Sequence, residues 1–412
     1  MTEASPKGPL DGVTVLDLSR VLAGPWTTQL LGDLGAEVIK VERPGAGDDT
    51  RAWGPPFAEG AEGGKADAAY YFCANRNKRS VTVDMAKAEG AELLRRLAAK
   101  ADVVVENFKT GGLKKYGLDY PSLAKANPRL VYCSITGFGQ TGPYAGRAGY
   151  DYMIQAMGGL MSITGQPDGS PGGEPVKVGV AVADLFTGLY ASNAILAALL
   201  HARASGEGQH IDLALFDVQA AMLANQATNF FVSGRVPTRM GNAHPNLAPY
   251  QPFQAKDGML VIAVGNDGQF RALAGALGDA ALADDARFAT NALRVEHREA
   301  LKARIEARLG MEDAHAWLDR LEAVGVPCGP INTVDQVFAE PQAVARGLVV
   351  EQTRPDLDKP VRTVANPIRM SKTPATYRTP PPAMGADTEA VLAQMLGLSE
   401  EEIGKLRQGG AI

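Results

Sequence analysis

Short apolar, β-branched runs alternate with helical patterns through the first half of the chain. Residues 13–18 alternate as a strand, residues 26–34 have helical spacing closed by Gly35, and residues 37–42 form a second strand pattern. Strand patterns recur at residues 80–84, 102–106 and 129–135, with a helical pattern at 88–100. Strands that alternate with helices in this way predict an α/β fold with an open parallel sheet covered on both faces.

Residues 177–184 are the stretch around which the chain is organised. Their Val- and Ala-rich composition, after a Gly- and Pro-rich loop at 165–173, predicts a short buried strand. Helical spacing then continues to Gly206, so Asp184 is predicted at a strand-to-helix junction, where an Asp most often serves as the helix N-cap. Gly179 and Gly188 would leave room for a ligand, which makes the carboxylate a candidate reactive group as well.

A second, smaller domain is predicted in the second half. Pro, Asn, Arg and Gly accumulate at residues 233–255, a strand pattern follows at 258–265, and residues 269–325 are mostly helical. We therefore expect a large Rossmann-like α/β domain at residues 1–225, a small α+β domain at 226–330, and a linker and C-terminal segment at 331–412 that returns to the large domain. The first βα turn has one glycine instead of three, which argues against a dinucleotide site.

Composition narrows the class further. The 412 residues are 45% hydrophobic and 21% charged with a net charge of -5, which is typical of a globular protein with no general attraction to nucleic acid or anionic membranes. Three widely spaced cysteines without histidines at ligand spacing predict neither a disulfide framework nor a metal site. The N-terminus has no targeting pattern, and we expect no apolar run long enough for a bilayer, so a cytoplasmic protein is predicted.

Six segments in consistent order resemble the class III CoA-transferase family. They are residues 10–17 (LDGVTVLD), 35–44 (GAEVIKVERP), 77–80 (NKRS), 102–108 (DVVVENF), 149–151 (GYD) and 325–330 (GVPCGP). The resemblance implies that Asp184 is a nucleophile that attacks an acyl-CoA thioester, giving an aspartyl anhydride and then an aspartyl-CoA thioester. It also implies an interlocked homodimer, with CoA as a substrate and no tightly bound cofactor.

The same resemblance places CoA contacts on the large domain. The matching positions are Leu22, Ala23, Arg43, Val83, Asp84, Met85, Ala86, Asn107, Phe108, Lys109 and Lys115. Arg43 and Lys115 carry the charge that suits phosphate oxygens. Formyl-CoA transferase has an arginine where Lys115 stands, so bidentate geometry is lost there, and a solvated surface role is the ordinary interpretation of a lone lysine.

Residue 150 separates transferases from the related 2-methylacyl-CoA racemases. Those enzymes carry a histidine before the aspartate of the GYD segment, because racemisation needs a second acid or base. Tyr150 is a poor base near neutral pH, which favours transfer. Asp151 matches the family's second carboxylate, although a loop-capping role is equally compatible with its spacing.

Substrate identity depends on loops. His244 stands in a loop that resembles dicarboxylate-using members, so His244 and Tyr150 are candidate substrate contacts, and succinyl-CoA with a carboxylic acid acceptor is the expected pair. Two alternatives stay open: a racemase-type isomerase and a non-catalytic acyl-CoA binding protein. Two segments, residues 165–173 and residues 241–246, are alternative candidates for a cover that excludes water from the site.

Overall fold

The computed structural model describes residues 8–412. The strands, in chain order, are β1 (Thr14–Asp17), β2 (Glu37–Glu42), β3 (Phe57–Glu59), β4 (Lys65–Ala68), β5 (Lys78–Thr82), β6 (Val103–Glu106), β7 (Val131–Thr136), β8 (His210–Ala214), β9 (Tyr250–Gln254), β10 (Met259–Ala263), β11 (Cys328–Pro330), β12 (Val349–Gln352) and β13 (Val361–Val364). The α-helices are α1 (Ala23–Asp33), α2 (Ala69–Phe72), α3 (Ala88–Ala98), α4 (Tyr120–Leu123), α5 (Asp151–Met157), α6 (Leu160–Ile163), α7 (Val182–Ser205), α8 (Leu215–Met222), α9 (Ala224–Ser233), α10 (Asp267–Ala276), α11 (Ala281–Asp284), α12 (Asn291–Glu296), α13 (Arg298–Leu309), α14 (Ala314–Ala323), α15 (Val334–Ala339), α16 (Pro341–Ala345), α17 (Thr388–Leu396) and α18 (Glu400–Gln408).

Six strands form one parallel sheet in the order β5-β2-β1-β6-β7-β8. This confirms the predicted α/β fold with a large open parallel sheet. From β1 the chain adds strands first on one side, through β2 and β5, and then on the other, through β6, β7 and β8. The loops at the carboxyl ends of β1 and β6 therefore leave in opposite directions, and a crevice for a ligand opens at such a reversal.

Helices cover both faces of this sheet. On one face, α1 and α7 bury Leu31, Ile195 and Leu199 against the strands. On the other face, α3, α17 and α18 do the same, for example through Leu94 and Leu392. Both faces of each central strand are therefore dry, which explains why their sequences are continuous apolar runs.

The chain divides into two compact units. The first holds residues 8–160, Val178–Asn225 and Val344–Ile412, and the second holds Met161–Lys177 and Gln226–Ala343. The second unit is an antiparallel sheet, β11-β10-β9, packed with helices around a core that includes Phe253, Ile305 and Trp317. Compared with the boundaries expected from the sequence, residues 161–177 group with the second unit, and the return to the first unit comes at Val344 instead of residue 331.

Helix α7 differs from what the sequence indicated. By length and composition it is a candidate for crossing a membrane, so the expectation that no apolar run is long enough was wrong. A core helix of a water-exposed protein passes the same test, and α7 buries Ala191, Ile195 and Leu199 in the core that it shares with α1 and the sheet. Packing therefore explains the apolar residues on that face, whereas Phe186, Leu189, Tyr190 and Leu200 of the same helix are exposed.

Candidate functional site

Asp184 is the third residue of α7, in the first helical turn. The predicted strand before it is wrong: residues 177–181 have no regular structure, and Val180 is 57% exposed. Without a neighbouring strand, a Val- and Ala-rich sequence cannot form a ladder, whatever its propensity. Asp184 therefore follows an irregular segment, and the residue at the N-cap position is Ala181, which provides no side-chain cap.

Asp151 takes the capping role that the sequence suggested for Asp184. Its Oδ1 accepts hydrogen bonds from the backbone N–H groups of Ala183, at 2.8 Å, and Asp184, at 3.3 Å. Its Oδ2 accepts a hydrogen bond from Gln155 Nε2 at 2.7 Å, and Gln155 Oε1 accepts one from the N–H of Val178 at 2.9 Å. Asp151, at the start of α5, thus fixes both the first turn of α7 and the segment that leads into it.

The Asp184 carboxylate is left without a donor among the residues that the structure describes. Burial, and secondarily the negative charge of Asp151, raises its pKa to about 7. An acid capped by its own helix would show the opposite, because hydrogen bonds to a carboxylate lower its pKa. The geometry therefore argues against the simple cap interpretation of Asp184.

A cavity of about 380 Å³ lies at the carboxyl edge of β1, β6, β7 and β8, and Asp184 is in its wall. It thus occupies the crevice expected where the strand order reverses. Of the residues predicted from the sequence, it brings together Leu22, Ala23, Asn107, Phe108, Lys109, Tyr150 and Asp184.

The remaining predicted CoA contacts do not line this cavity. Arg43 is exposed after β2, and Lys115 is exposed with its ammonium 4.7 Å from the centre of the Tyr116 ring. The segment after β5 contains Val83, Asp84, Met85 and Ala86, where Val83 is buried and Asp84 Oδ1 accepts the Ala86 N–H at 3.0 Å. Arg43 follows the carboxyl end of β2, and residues 83–86 follow that of β5, so both lie at the same edge of the sheet as the cavity. Their roles in CoA binding stay predictions.

His244 belongs to the second unit. Its ring lies 5.1 Å from that of Tyr250, centre to centre, and its Nδ1 accepts the backbone N–H of Asn246. Burial, together with the nearby positive charge of Arg298, lowers its pKa. At neutral pH His244 is therefore mainly uncharged and able to donate through Nε2.

Sequence reasoning missed several residues at this site. Arg147 lines the cavity and stacks on Tyr144, with its guanidinium carbon 4.5 Å from the ring centre. Its place three residues before Tyr150 was a usable signal. Tyr70, which does not line the cavity, has its pKa raised to about 12 by burial and secondarily by the negative charge of Asp184, and no local pattern indicated this.

Gly188 does not make room for a ligand, contrary to the expectation from the sequence. A Cβ there would lie 2.9 Å from the backbone oxygen of Ala23 and 2.9 Å from the Trp26 ring, so this glycine lets α1 and α7 approach closely. Gly179 is open, with nothing near its missing side chain. Within residues 8–412, no group of His, Cys, Asp and Glu side chains has the arrangement of a metal site.

Comparison with known proteins gives consistent matches. Residues 10–388 match the family model described as CoA-transferase family III. The chain is 55% identical over 389 residues to the succinate–glutarate CoA-transferase of Agrobacterium fabrum, covering 94% of this chain and 96% of that protein. It is 44% identical over 404 residues to the succinyl-CoA:glutarate CoA-transferase of Homo sapiens, covering 98% and 90%. A crystal structure of a CaiB/BaiF family protein from Brucella suis superposes with a TM-score of 0.83 at 54% identity, covering 94% of this chain and all of that one (100%).

Proposed function

Because the chain belongs to CoA-transferase family III, we propose that it moves coenzyme A from succinyl-CoA to a dicarboxylic acid such as glutarate, with Asp184 as the nucleophile. The family match confirms the family and the enzyme class expected from the sequence. The observation that carries the proposal is the Asp184 carboxylate, half-buried in the cavity wall without a donor among the described residues and with a pKa of about 7. A poorly solvated, more basic carboxylate is a better nucleophile than a hydrated one.

The proposed chemistry consists of two anhydrides separated by a thioester. An Asp184 oxygen attacks the thioester carbonyl of succinyl-CoA and the C–S bond breaks. This step releases the CoA thiolate and forms a succinyl-aspartyl anhydride. The thiolate then attacks the Asp184 Cγ, which forms aspartyl-CoA and releases succinate carrying that Asp184 oxygen. A carboxylate oxygen of the acceptor next attacks the same carbon and expels the thiolate. Finally the thiolate attacks the acceptor's carbonyl, which gives the new acyl-CoA and restores Asp184.

We assign CoA to the carboxyl edge of the sheet. Leu22 and Ala23 begin α1 at the cavity, and no side chain of the described residues caps that helix. Pro25 has no N–H, so the N–H groups of Ala23 and Gly24 are the ones of the first turn left for a ligand oxygen. Lys109 and Arg147 add positive charge to the cavity wall, and Arg43 and residues 83–86 extend the edge along β2 and β5. An extended CoA molecule suits such a continuous edge.

Tyr150 supports transfer over racemisation. It lines the cavity, is 65% exposed, and stands where a racemase requires a base. With Asp184 as the cavity's one carboxylate, the wall has no second group that exchanges protons at neutral pH among the described residues. We further propose that the chain works as a homodimer, as the resemblance implies, and that its two compact units are its domains.

The first experiment determines the substrates. The purified protein is incubated with succinyl-CoA and a panel of mono- and dicarboxylic acids, and new acyl-CoAs are identified by mass spectrometry. We expect glutaryl-CoA to form, and Asp184→Asn to abolish transfer. Asp217→Asn is the matched control, because Asp217 is an exposed acid in the first turn of α8 outside the cavity wall. Exchange of the α-hydrogen of a 2-methylacyl-CoA with solvent deuterium, without transfer of CoA, would instead indicate a racemase.

The second experiment tests the covalent route. Enzyme in excess over succinyl-CoA is mixed with glutarate labelled with oxygen-18 in its carboxylates and quenched after one turnover. The proposed route gives unlabelled succinate and one oxygen-18 atom in the peptide that contains Asp184. Direct attack of glutarate on succinyl-CoA would place the label in succinate and none in the protein, and that result would refute Asp184 as the nucleophile.

A further inference from the structure

The turn after β1 has its backbone held by side chains from elsewhere in the first unit. The N–H of Arg20 donates to Asn107 Oδ1 at 3.0 Å, and Asn107 Nδ2 donates to the backbone oxygen of Arg20 at 2.7 Å. The N–H of Val21 donates to Asp48 Oδ1 at 3.3 Å. Since residues 20–23 line the cavity, the shape of this turn decides what the cavity presents to CoA.

Val21 has an unfavourable backbone conformation in this turn. Its φ of 71° lies in the left-handed region, which β-branched residues rarely adopt because the side chain crowds the backbone. Such a conformation persists only where the surroundings impose it, and such sites are common around bound ligands. The contacts that hold Val21 are therefore expected to matter for the cavity.

Asp48 is itself fixed by a buried ion pair. Lys40 Nζ lies 2.7 Å from Asp48 Oδ2, and neither side chain is exposed (0%). The same Lys40 Nζ donates to the backbone oxygen of Ser19 at 3.2 Å. The pair thus forms hydrogen bonds with the backbone at both ends of the segment 19–21. Neither Lys40 nor Asp48 lines the cavity.

A buried pair of this kind contributes little net stability. Desolvation of the two charges offsets most of their attraction, and apolar residues of similar size often serve a core as well or better. Its specific contribution here is geometric, since an amide or an apolar side chain cannot bond Ser19, Val21 and the opposite charge together. A second buried carboxylate, Asp33, provides a contrast: it binds Arg76 Nη2 at 2.6 Å at the other end of α1 and does not line the cavity.

We propose that Asp48, held by Lys40, is a positioning residue that keeps Val21 in its left-handed conformation and so shapes the CoA-contacting turn. The inference rests on the proposed function, because it assumes that the cavity binds the CoA part of the substrate. Asp48 acts through Val21 and does not touch the reacting atoms. Its loss should therefore weaken binding of CoA more than it slows the chemistry.

The test compares Asp48→Asn with Asp33→Asn. Asp48 Oδ1 accepts the N–H groups of Val21 and Thr50, and Oδ2 accepts Lys40 Nζ. An asparagine at residue 48 must direct its NH₂ toward one of these two sets of donors, so one donor faces another. We expect Asp48→Asn to raise the KM for succinyl-CoA and the Kd for free CoA, measured by calorimetry, about tenfold, equal to about 1.4 kcal/mol, with kcat within about twofold. Asp33→Asn is expected to lower the melting temperature without changing either constant.

Rescue distinguishes positioning from general damage. Val21→Gly removes the conformational cost of the left-handed residue, so in that background Asp48→Asn should change KM and Kd less than about twofold. If Asp48→Asn does not fold, Asp48→Glu, which keeps the charge but moves the acceptor, must give the same loss and the same rescue. Equal CoA affinity of Asp48→Asn and wild type, or an undiminished loss in the Val21→Gly background, would overturn the proposal. Absence of CoA binding in the wild type would instead refute the proposed function.

Discussion

Replacing Asp151 with asparagine separates its two effects on Asp184. The asparagine side chain keeps an oxygen that can accept the N–H groups of Ala183 and Asp184, so the first turn of α7 stays capped, while its NH₂ takes the place of the oxygen that accepts Gln155 Nε2. The negative charge that helps to raise the pKa of Asp184 is lost. Since burial is the larger cause, we expect that pKa to fall below 7 but to stay above the ordinary value of 3.8.

The magnitude follows from the ionised fraction of Asp184. With a pKa of about 7, about a tenth of the carboxylate is ionised at pH 6 and about nine tenths at pH 8. Because the ionised form is the nucleophile, acylation slows as the pH falls through the pKa, about tenfold between pH 8 and pH 6. If Asp151→Asn lowers the pKa by about one, half of Asp184 is ionised at pH 6, and the same change in pH costs only about twofold.

The assay is a rapid-quench measurement of succinate released from succinyl-CoA in a single turnover without acceptor, between pH 5 and pH 9. Succinate is released only after Asp184 has been acylated and the thiolate has attacked the anhydride. The assay therefore covers these two steps, and neither the acceptor's attack nor the release of the new acyl-CoA obscures the pH dependence. Asp217→Asn serves as the control and should keep the wild-type midpoint. A wild-type rate that does not change with pH, or an identical midpoint in Asp151→Asn, would show that Asp184 does not titrate as the nucleophile.

Three further predictions concern stability. Because the pKa of Asp184 is higher in the folded than in the unfolded state, its ionisation costs stability as the pH rises from about 4 to 7. In urea unfolding, Asp184→Asn should therefore be more stable than the wild type by about 2 kcal/mol at pH 8 and equally stable at pH 3.5. A gain in stability that does not depend on pH would contradict this reasoning. Gly188→Ala should cost about 1–3 kcal/mol, because the added Cβ meets Ala23 and Trp26 of α1; an unchanged melting temperature would show that the helices separate freely. Arg294→Met should lower the free energy of unfolding of the second unit, measured by calorimetry, by about 3 kcal/mol, since Arg294 is buried and donates to the backbone oxygens of Ala248 and Phe288. An unchanged free energy of unfolding would argue against that role.

Local patterns in the sequence were sufficient to predict the parallel sheet. The strands β1, β2, β5, β6 and β7 were all expected close to their observed positions, because apolar, β-branched runs between helical patterns are local signals. The sequence also predicts a single helix that begins at Asp217 and runs to Phe231, and this prediction was wrong. The structure has two helices there, α8 and α9, separated near Ala224, whose φ of 44° interrupts the helical backbone.

The segment before Asp184 was mispredicted because a strand is not a local structure. Residues 177–181 have strand-like composition, but a strand forms only beside another strand. The neighbour of β7 on that side of the sheet is β8, which comes later in the chain, and the segment instead runs exposed into α7. The contact between Lys40 and Asp48, and its reach to Val21, were hidden for the same reason, since they join residues from separate strands and loops.

Asp151 caps α7 while Asp184 accepts no hydrogen bond among the described residues, which explains how the first turn of a helix can hold a reactive acid. An aspartate that capped its own helix would accept its amide donors, and those hydrogen bonds would stabilise the carboxylate and lower its basicity. Here Asp151 accepts the amides of Ala183 and Asp184 from outside the helix. Asp184 therefore does not cap the helix, and its pKa is raised by burial and, to a smaller extent, by the negative charge of Asp151. The two carboxylates that were ambiguous in the sequence, each a plausible cap, acquire separate roles only when α5 is placed beside α7.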